Sequence, residues 1–218
     1  MLGTPSAALI AALAAGLPAT VMNGARVLGI ETSNRRAVRV AVQTRQGKQS
    51  FEVERETILC GGAINSPQLL QLSGIGPGAL LQSLGIPLAL DNPNVGDHLS
   101  DHQGINYSWS MKVPTYNDEL RPWCGKARAG LQYFLGGGGP LSKSINHGGG
   151  FFRTRADLDR PNMQLYFQAF STVIPKSGER PILTPDPWPG FSIGLSNCRP
   201  SSRGEITIRS RDPREYPK

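Results

Sequence analysis

Cysteine is scarce in this sequence: Cys60, Cys124 and Cys198 are all it holds, and no two of them form a C-x-x-C pair. An odd number of widely spaced cysteines argues against a disulfide framework and a cysteine zinc site, and favours a reducing compartment such as the cytoplasm. Long apolar runs are missing too. The opening stretch, Met1 to Thr20, is rich in Ala and Leu, but Gly and Pro interrupt it and it is too short to span a bilayer. No Lys or Arg precedes Arg26, so the basic start of a signal peptide is absent. A short buried helix, Ala7 to Ala15, is the expectation here, with no membrane span. The dinucleotide fingerprint G-x-G-x-x-G, placed after a strand and before a helix, appears nowhere.

What is present is turn chemistry. Gly 26 and Pro 18 fall between short apolar runs in a chain of 218 residues that is 39% hydrophobic, which predicts a loop-rich mixture of helices and strands. The charge sum, 23 − 16 = +7, is basic. Its densest stretches, Arg35 to Lys48 and Arg203 to Arg214, are interleaved with acidic and strand-like apolar positions. They read as solvated surface and not as a nucleic-acid face.

Three β-like runs, Ala19 to Thr32, Ala37 to Thr44 and Gln49 to Cys60, are joined by turn residues at Ser33-Asn34 and Gln46-Gly47, the pattern of an antiparallel meander. The third run ends in an apolar strand, Glu56 to Cys60. Ser66-Pro67 then offers a capped helix start, with Leu69, Leu70 and Leu72 on its apolar side. A short helix over Gly78 to Leu84, an extended stretch over Ile86 to Leu90 and a turn over Asp91 to Asn94 follow. Beyond Gln103 the runs Ile105 to Lys112, Met163 to Thr172, Gly190 to Arg199 and Glu205 to Ser210 predict an antiparallel sheet. One helix, Lys126 to Leu135, flanks it, stopped by Gly136 to Gly139. The fold class is therefore α/β plus α+β, with a boundary near His102 separating residues 1–102 from 103–218.

The stretch from Gly62 to Gly76, GAINSPQLLQLSGIG, joins a strand end, a glycine turn and a helix. Such a turn lets backbone approach a ligand and aims helix N–H groups at it. As a string it resembles the second signature of the glucose–methanol–choline (GMC) oxidoreductases. Glu56 to Ala63 looks like the strand entering that signature. Val95-Gly96-Asp97-His98-Leu99-Ser100-Asp101-His102 is similar to the family's V-G-x-N-L-x-D-H segment, with His98 where Asn is usual. Gly139-Pro140-Leu141, Phe152-Arg153-Thr154, Ser202 to Ile206 and Asp212-Pro213 follow in family order.

The resemblance implies part of an FAD-binding, Rossmann-like domain (1–102) and then part of a substrate domain (103–218). It implies an FAD-dependent oxidoreductase acting on the CH–OH group of a small-molecule alcohol, leaving the electron acceptor open. In the family a Val bonds the adenine of FAD through its backbone, and the resemblance carries that role to Val27. The turn Cys60, Gly61, Gly62 and Ala63 would lie near the same end of the cofactor. The family's fingerprint lies upstream of the stretch matched here and its catalytic His downstream, so the chain alone is expected to be inactive. A truncated, non-catalytic FAD-binding remnant is the alternative reading. A remote one is a zinc hydrolase, because His98 and His102 stand four apart, as on one face of a metalloprotease helix. His147 reads as a loop residue on the substrate side.

Overall fold

The structure, a computed structural model, describes residues 20–173 and 184–218. The helix expected over residues 7–15 lies outside the described residues. Contacts divide the chain into two compact units, Met1–Leu99 with Arg203–Lys218, and Ser100–Ser202. The closing stretch, placed with the second half in the sequence reading, folds onto the first unit.

The first unit opens on the expected meander. Strands β1 (Arg26–Ser33), β2 (Arg36–Thr44) and β3 (Gly47–Glu52) pair antiparallel in the order β1-β2-β3. Asn34 and Arg35 both have positive φ, 50° and 63°, which gives the two-residue turn whose twist matches that of the flanking strands. Ile30 and Val42 are the buried residues of the sheet. A register shift between Val27 and Gly29 leaves Leu28 without a partner in the β1–β2 ladder.

Helix α1 (Gly62–Leu72) packs its C-terminal end against β1: the Ile30 N–H donates to Ser73 Oγ at 2.8 Å, and Ser73 Oγ donates to the Leu69 carbonyl at 2.6 Å. Next come β4 (Ile75–Gly76), α2 (Gly78–Ser83) and β5 (Leu90–Asp91). β4 and β5 pair parallel, so this is a miniature β-α-β crossover. Asp91 stabilises it by accepting the Gly78 N–H at the start of α2, at 2.9 Å. Leu81 and Ile86 pack with Ile208 of the closing stretch, flanked by Leu72, Leu80 and Leu84.

Two expected strands are absent. Residues 56–60 form no strand and pair with none among the described residues. Residues 205–210 form no strand: the preceding Gly204 bridges Leu99, the Ile206 N–H donates to the Gly96 carbonyl at 2.6 Å, and Thr207 and Lys218 exchange backbone bonds. Two further backbone groups of this stretch are bonded by a side chain. Gln71, fully buried in α1, donates through Nε2 to the carbonyls of Val95 (3.0 Å) and Ile206 (2.8 Å), and its Oε1 accepts the Ile208 N–H at 2.9 Å. One amide thus satisfies backbone groups of two separate segments. Gly96, at φ +94°, lies so close to Ile206 O and Gln71 Nε2 that no Cβ fits there.

The second unit is built on a four-stranded antiparallel sheet, β6 (Gly104–Ser110), β7 (Gly148–Phe152), β8 (Met163–Gln168) and β9 (Gly190–Asn197), in the order β6-β9-β8-β7. The run of glycines that forms β7 gave no strand signal in the sequence. A short helix, α3 (Tyr116–Leu120), was also missed; Thr115 and Asp118 form its capping box. Helix α4 (Trp123–Gly136) is as expected, and Gly137 in the left-handed conformation stops it. Asn117, fully buried, donates to Ser171 Oγ (2.9 Å) and the Trp188 carbonyl (2.8 Å), and its Oδ1 accepts the Ser171 N–H at 3.0 Å.

Gln71→Leu keeps the bulk of the side chain and removes all three bonds. At about 1–3 kcal/mol for each buried group left unpaired, the expected loss in urea unfolding is at least about 3 kcal/mol. Gln82→Ala, at an exposed position of α2, should change stability by less than about 0.5 kcal/mol. Equal unfolding midpoints for the two variants would contradict the assignment.

Candidate functional site

The glycine turn sits where the chain enters α1. The helix begins at Gly62 and not at Ser66, because Gly62 takes φ +78°, a conformation that turns the chain into the helix and that side-chain-bearing residues rarely adopt. Ser66 and Pro67 therefore lie inside the helix, and Pro67 has no N–H to offer the Ala63 carbonyl one turn back. No side chain caps α1, and its first turn holds no acidic residue. Its leading N–H groups have no acceptor within the helix, so the positive end of the helix dipole is bare. Cys60, Gly61, Gly62 and Ala63 are all exposed, and a Cβ on Gly62 would meet nothing within 4 Å. The turn is an open, electropositive backbone cradle.

Val27 lies on β1, an edge strand of the meander, beside the register shift. An edge strand and an irregular ladder leave backbone groups free to meet a ligand. The bond that joins α1 to β1 is at Ser73, at the opposite end of the helix from the glycine turn. Eleven residues of helix span about 16 Å, so that bond does not itself bring Val27 to the turn.

The metalloprotease reading needs a helix over 98–102, and the structure has none. His98 has φ +60°, and its ring, largely exposed, faces its own neighbour Asp97 at 3.5 Å. The His102 N–H bonds Asp101 Oδ1 at 2.8 Å. Without helical periodicity the four-residue spacing places no two imidazoles on one face. Among the described residues no three His, Cys, Asp or Glu side chains form a metal-binding group.

His147 is a loop residue, as expected, placed immediately before β7. Its N–H extends the β7–β8 ladder by donating to the Phe167 carbonyl at 2.8 Å. Its ring lies 5.4 Å from that of Tyr116, and Nδ1 is within bonding distance of the Ala169 N–H (3.3 Å) and the Ile145 carbonyl (3.2 Å). Whichever of these Nδ1 engages, the buried Nε2 has no partner. Beside it a cleft of about 620 Å³ is walled by Met111, Tyr116, Phe167, Ala169 and Phe191, with Asp118 and Glu119 at its margin. Phe191 stacks on Trp109 at 5.2 Å and packs against Phe167 at 5.7 Å, so one sheet face presents an aromatic wall. Phe191 and Phe167 lay within predicted strands, but which strands pair, and so which aromatics meet, is not encoded in local periodicity.

Residues 2–104 match the family model described as GMC oxidoreductase. An oxygen-dependent choline dehydrogenase of Burkholderia vietnamiensis is 37% identical over 183 residues, 84% of this chain and 31% of that protein. The chain belongs to the GMC oxidoreductase family. The corresponding enzyme of Burkholderia ambifaria is 38% identical over 170 residues, 78% of the chain and 29% of its own length. This GMC oxidoreductase chain thus spans about a third of the length of the curated relatives it matches. A formate oxidase structure from Aspergillus oryzae superposes with a TM-score of 0.74 at 25% identity, covering 88% of this chain and 38% of that one. Pyridoxine 4-oxidase from Mesorbium loti has a TM-score of 0.66 at 22% identity, over 91% of this chain and 34% of that one, which shows a shared fold.

The conformational demand at the turn is measurable. Gly62→Ala should destabilise the protein by about 1–2 kcal/mol, because the left-handed backbone is unfavourable for a side-chain-bearing residue even where space is free. Gly130→Ala, inside α4 with nothing within 4 Å, should stabilise by about 0.5–1 kcal/mol. Urea unfolding of both variants checks the opposite signs.

Proposed function

We propose that this GMC oxidoreductase chain forms part of an FAD-dependent enzyme that oxidises the CH–OH group of a small alcohol. Residues 1–102 would contribute the second part of the cofactor domain, and the sheet of the second unit part of the substrate domain. The observation that carries this reading is the bare helix end at Gly62, set within the stretch that matches the family. The turn fits a flavin nucleotide: a Cβ at Gly62 would project into open space beside uncapped N–H groups. Cys60, Gly61, Gly62 and Ala63 would hold the cofactor through backbone, with Val27 contributing a backbone contact from the edge of β1. FAD, when bound, supplies the hydride acceptor.

The work of this chain's own residues is then to bind and orient. Phe167, Phe191, Met111 and Tyr116 form an apolar wall that excludes water from a substrate in the cleft. Asp118 is engaged in capping α3, its Oδ2 accepting the Thr115 N–H at 2.9 Å. The Glu119 carboxylate has no hydrogen-bond or ion-pair partner among the described residues, and its charge beside aromatic rings suits a cationic alcohol of the choline type. The three free cysteines suit a reducing compartment. No helix among the described residues is long and apolar enough to cross a membrane.

A chimera tests the proposal. Residues 20–218 would replace the matching stretch of the Burkholderia vietnamiensis enzyme, which supplies the remaining chain. The purified chimera should carry flavin, seen in its visible absorbance, and reduce a dye with a primary alcohol as donor. Gly62→Val in that chimera should lower its flavin content several-fold. A folded chimera devoid of flavin, or full flavin content in the Gly62→Val form, would contradict the reading.

A further inference from the structure

One end of the meander gathers more positive charge than the one carboxylate beside it, Asp212, can balance. Gln43 in the central strand faces Arg26 on one side and Lys48 on the other, so these three side chains form one row on one face of the sheet. Two strand spacings separate Arg26 from Lys48, about 10 Å. Arg45 stands in the turn between β2 and β3. Thr44 Oγ1 holds that turn by donating to the Gly47 carbonyl (3.0 Å) and accepting the Gln46 N–H (3.2 Å). Residues 211–214 form the facing wall, and together they enclose a cleft of about 660 Å³ lined by Arg26, Arg45, Lys48, Arg211, Asp212 and Arg214.

The charges in this cleft are not equivalent. Arg214 is engaged with Asp212, its Nε and Nη2 donating to the carboxylate at 2.6–3.1 Å. These bonds, more than any other cause, lower the Asp212 pKa to about 2, so the pair stays ionised and internally neutral at neutral pH. Arg211 is held by its Nε on the Leu84 carbonyl at 2.8 Å and keeps its charge. Arg45 and Lys48 have neither an ion-pair nor a hydrogen-bond partner for their side chains among the described residues, and Arg26 forms no direct bond, its charge only adding to that of Arg214 in lowering the Asp212 pKa. Like charges held around a concave surface repel one another and raise the local potential, which an anion relieves.

We propose that this cleft binds an oligophosphate group, with Arg26, Arg45 and Lys48 as its ligands and Arg211 contributing charge from the opposite wall. Four cationic side chains around a cleft of about 660 Å³ favour a chain of phosphates over a single one, because linked phosphates offer several anionic groups to contact them at once. Guanidinium groups also match phosphate oxygens in pairs. The inference goes beyond the flavin reading and does not rest on it. Neighbouring residues of a strand project to opposite faces, so Val27 points away from the face that carries Arg26.

Isothermal titration calorimetry of the chain with inorganic triphosphate, and separately with orthophosphate at matched ionic strength, tests the site. Triphosphate should bind saturably and more tightly than orthophosphate. Arg45→Gln/Lys48→Gln should weaken it by at least about tenfold, since two charge-assisted contacts are lost. Both positions are at the meander's turn end, and a circular dichroism melt confirms that the double variant folds. Lys126→Gln/Arg128→Gln on α4 should leave affinity within about twofold, because neither residue lines the cleft. Absence of saturable triphosphate binding, equal affinity for orthophosphate, or an unchanged affinity in the Arg45/Lys48 double variant would each overturn the proposal.

Discussion

Gln71 is the side chain on which the first unit depends. A buried amide is costly unless each of its groups is bonded. Here Nε2 serves two carbonyls and Oε1 one N–H, drawn from segments 24 and more than 130 residues away in sequence. The consequence reaches both ends of α1. Gln71, in its last turn, and Ser73 together fix its C-terminal end, and the glycine turn is presented at the opposite end, where no side chain caps it. The closing stretch 203–218 belongs to this unit for the same reason: Gln71 satisfies Ile206 and Ile208, and Ile208 completes the small core with Leu81 and Ile86.

The second unit uses the same device on a different scaffold. Asn117 joins α3 to the segments around Ser171 and Trp188, while the Thr115 hydroxyl accepts the Gly190 N–H at 2.9 Å. This places the start of α3 over the end of β9 and so shapes one wall of the aromatic cleft. In each unit polar specificity, and not a large apolar core, sets where a candidate ligand surface lies. The rigid elements then carry the exposed residues: a helix end in one case and a sheet face in the other.

The meander, α2, α4 and three strands of the second sheet were legible in the sequence, because alternation, glycine stops and two-residue turns are local signals. The start of α1 was not: Ser66-Pro67 has the composition of a helix start, yet Gly62 supplies the backbone conformation that a turn into the helix requires. β7 was hidden because Gly148, Gly149 and Gly150 carry no side chains to alternate, and its pairing with β8 is a tertiary fact. The strands expected over 56–60 and 205–210 failed for a shared reason. Apolar segments become strands only where a neighbour offers a ladder, and the Ile206 carbonyl and Ile208 N–H are bonded by the Gln71 side chain instead. The family-matching glycine turn was legible as a string, but the buried roles of Gln71 and Asn117 were not, since a lone amide in a sequence carries no mark of burial.

Amide hydrogen exchange at Ile208 tests the central claim, that a single buried amide organises this unit, most directly. Ile208 is in no helix or strand, and its N–H is bonded to the Gln71 side chain. If that bond is built into the unit's cooperative structure, this amide exchanges only when the unit unfolds, as slowly as the interior amides of α1. Exchange of the Ile208 amide at the rate of an exposed loop, while α1 remains protected, would contradict the account.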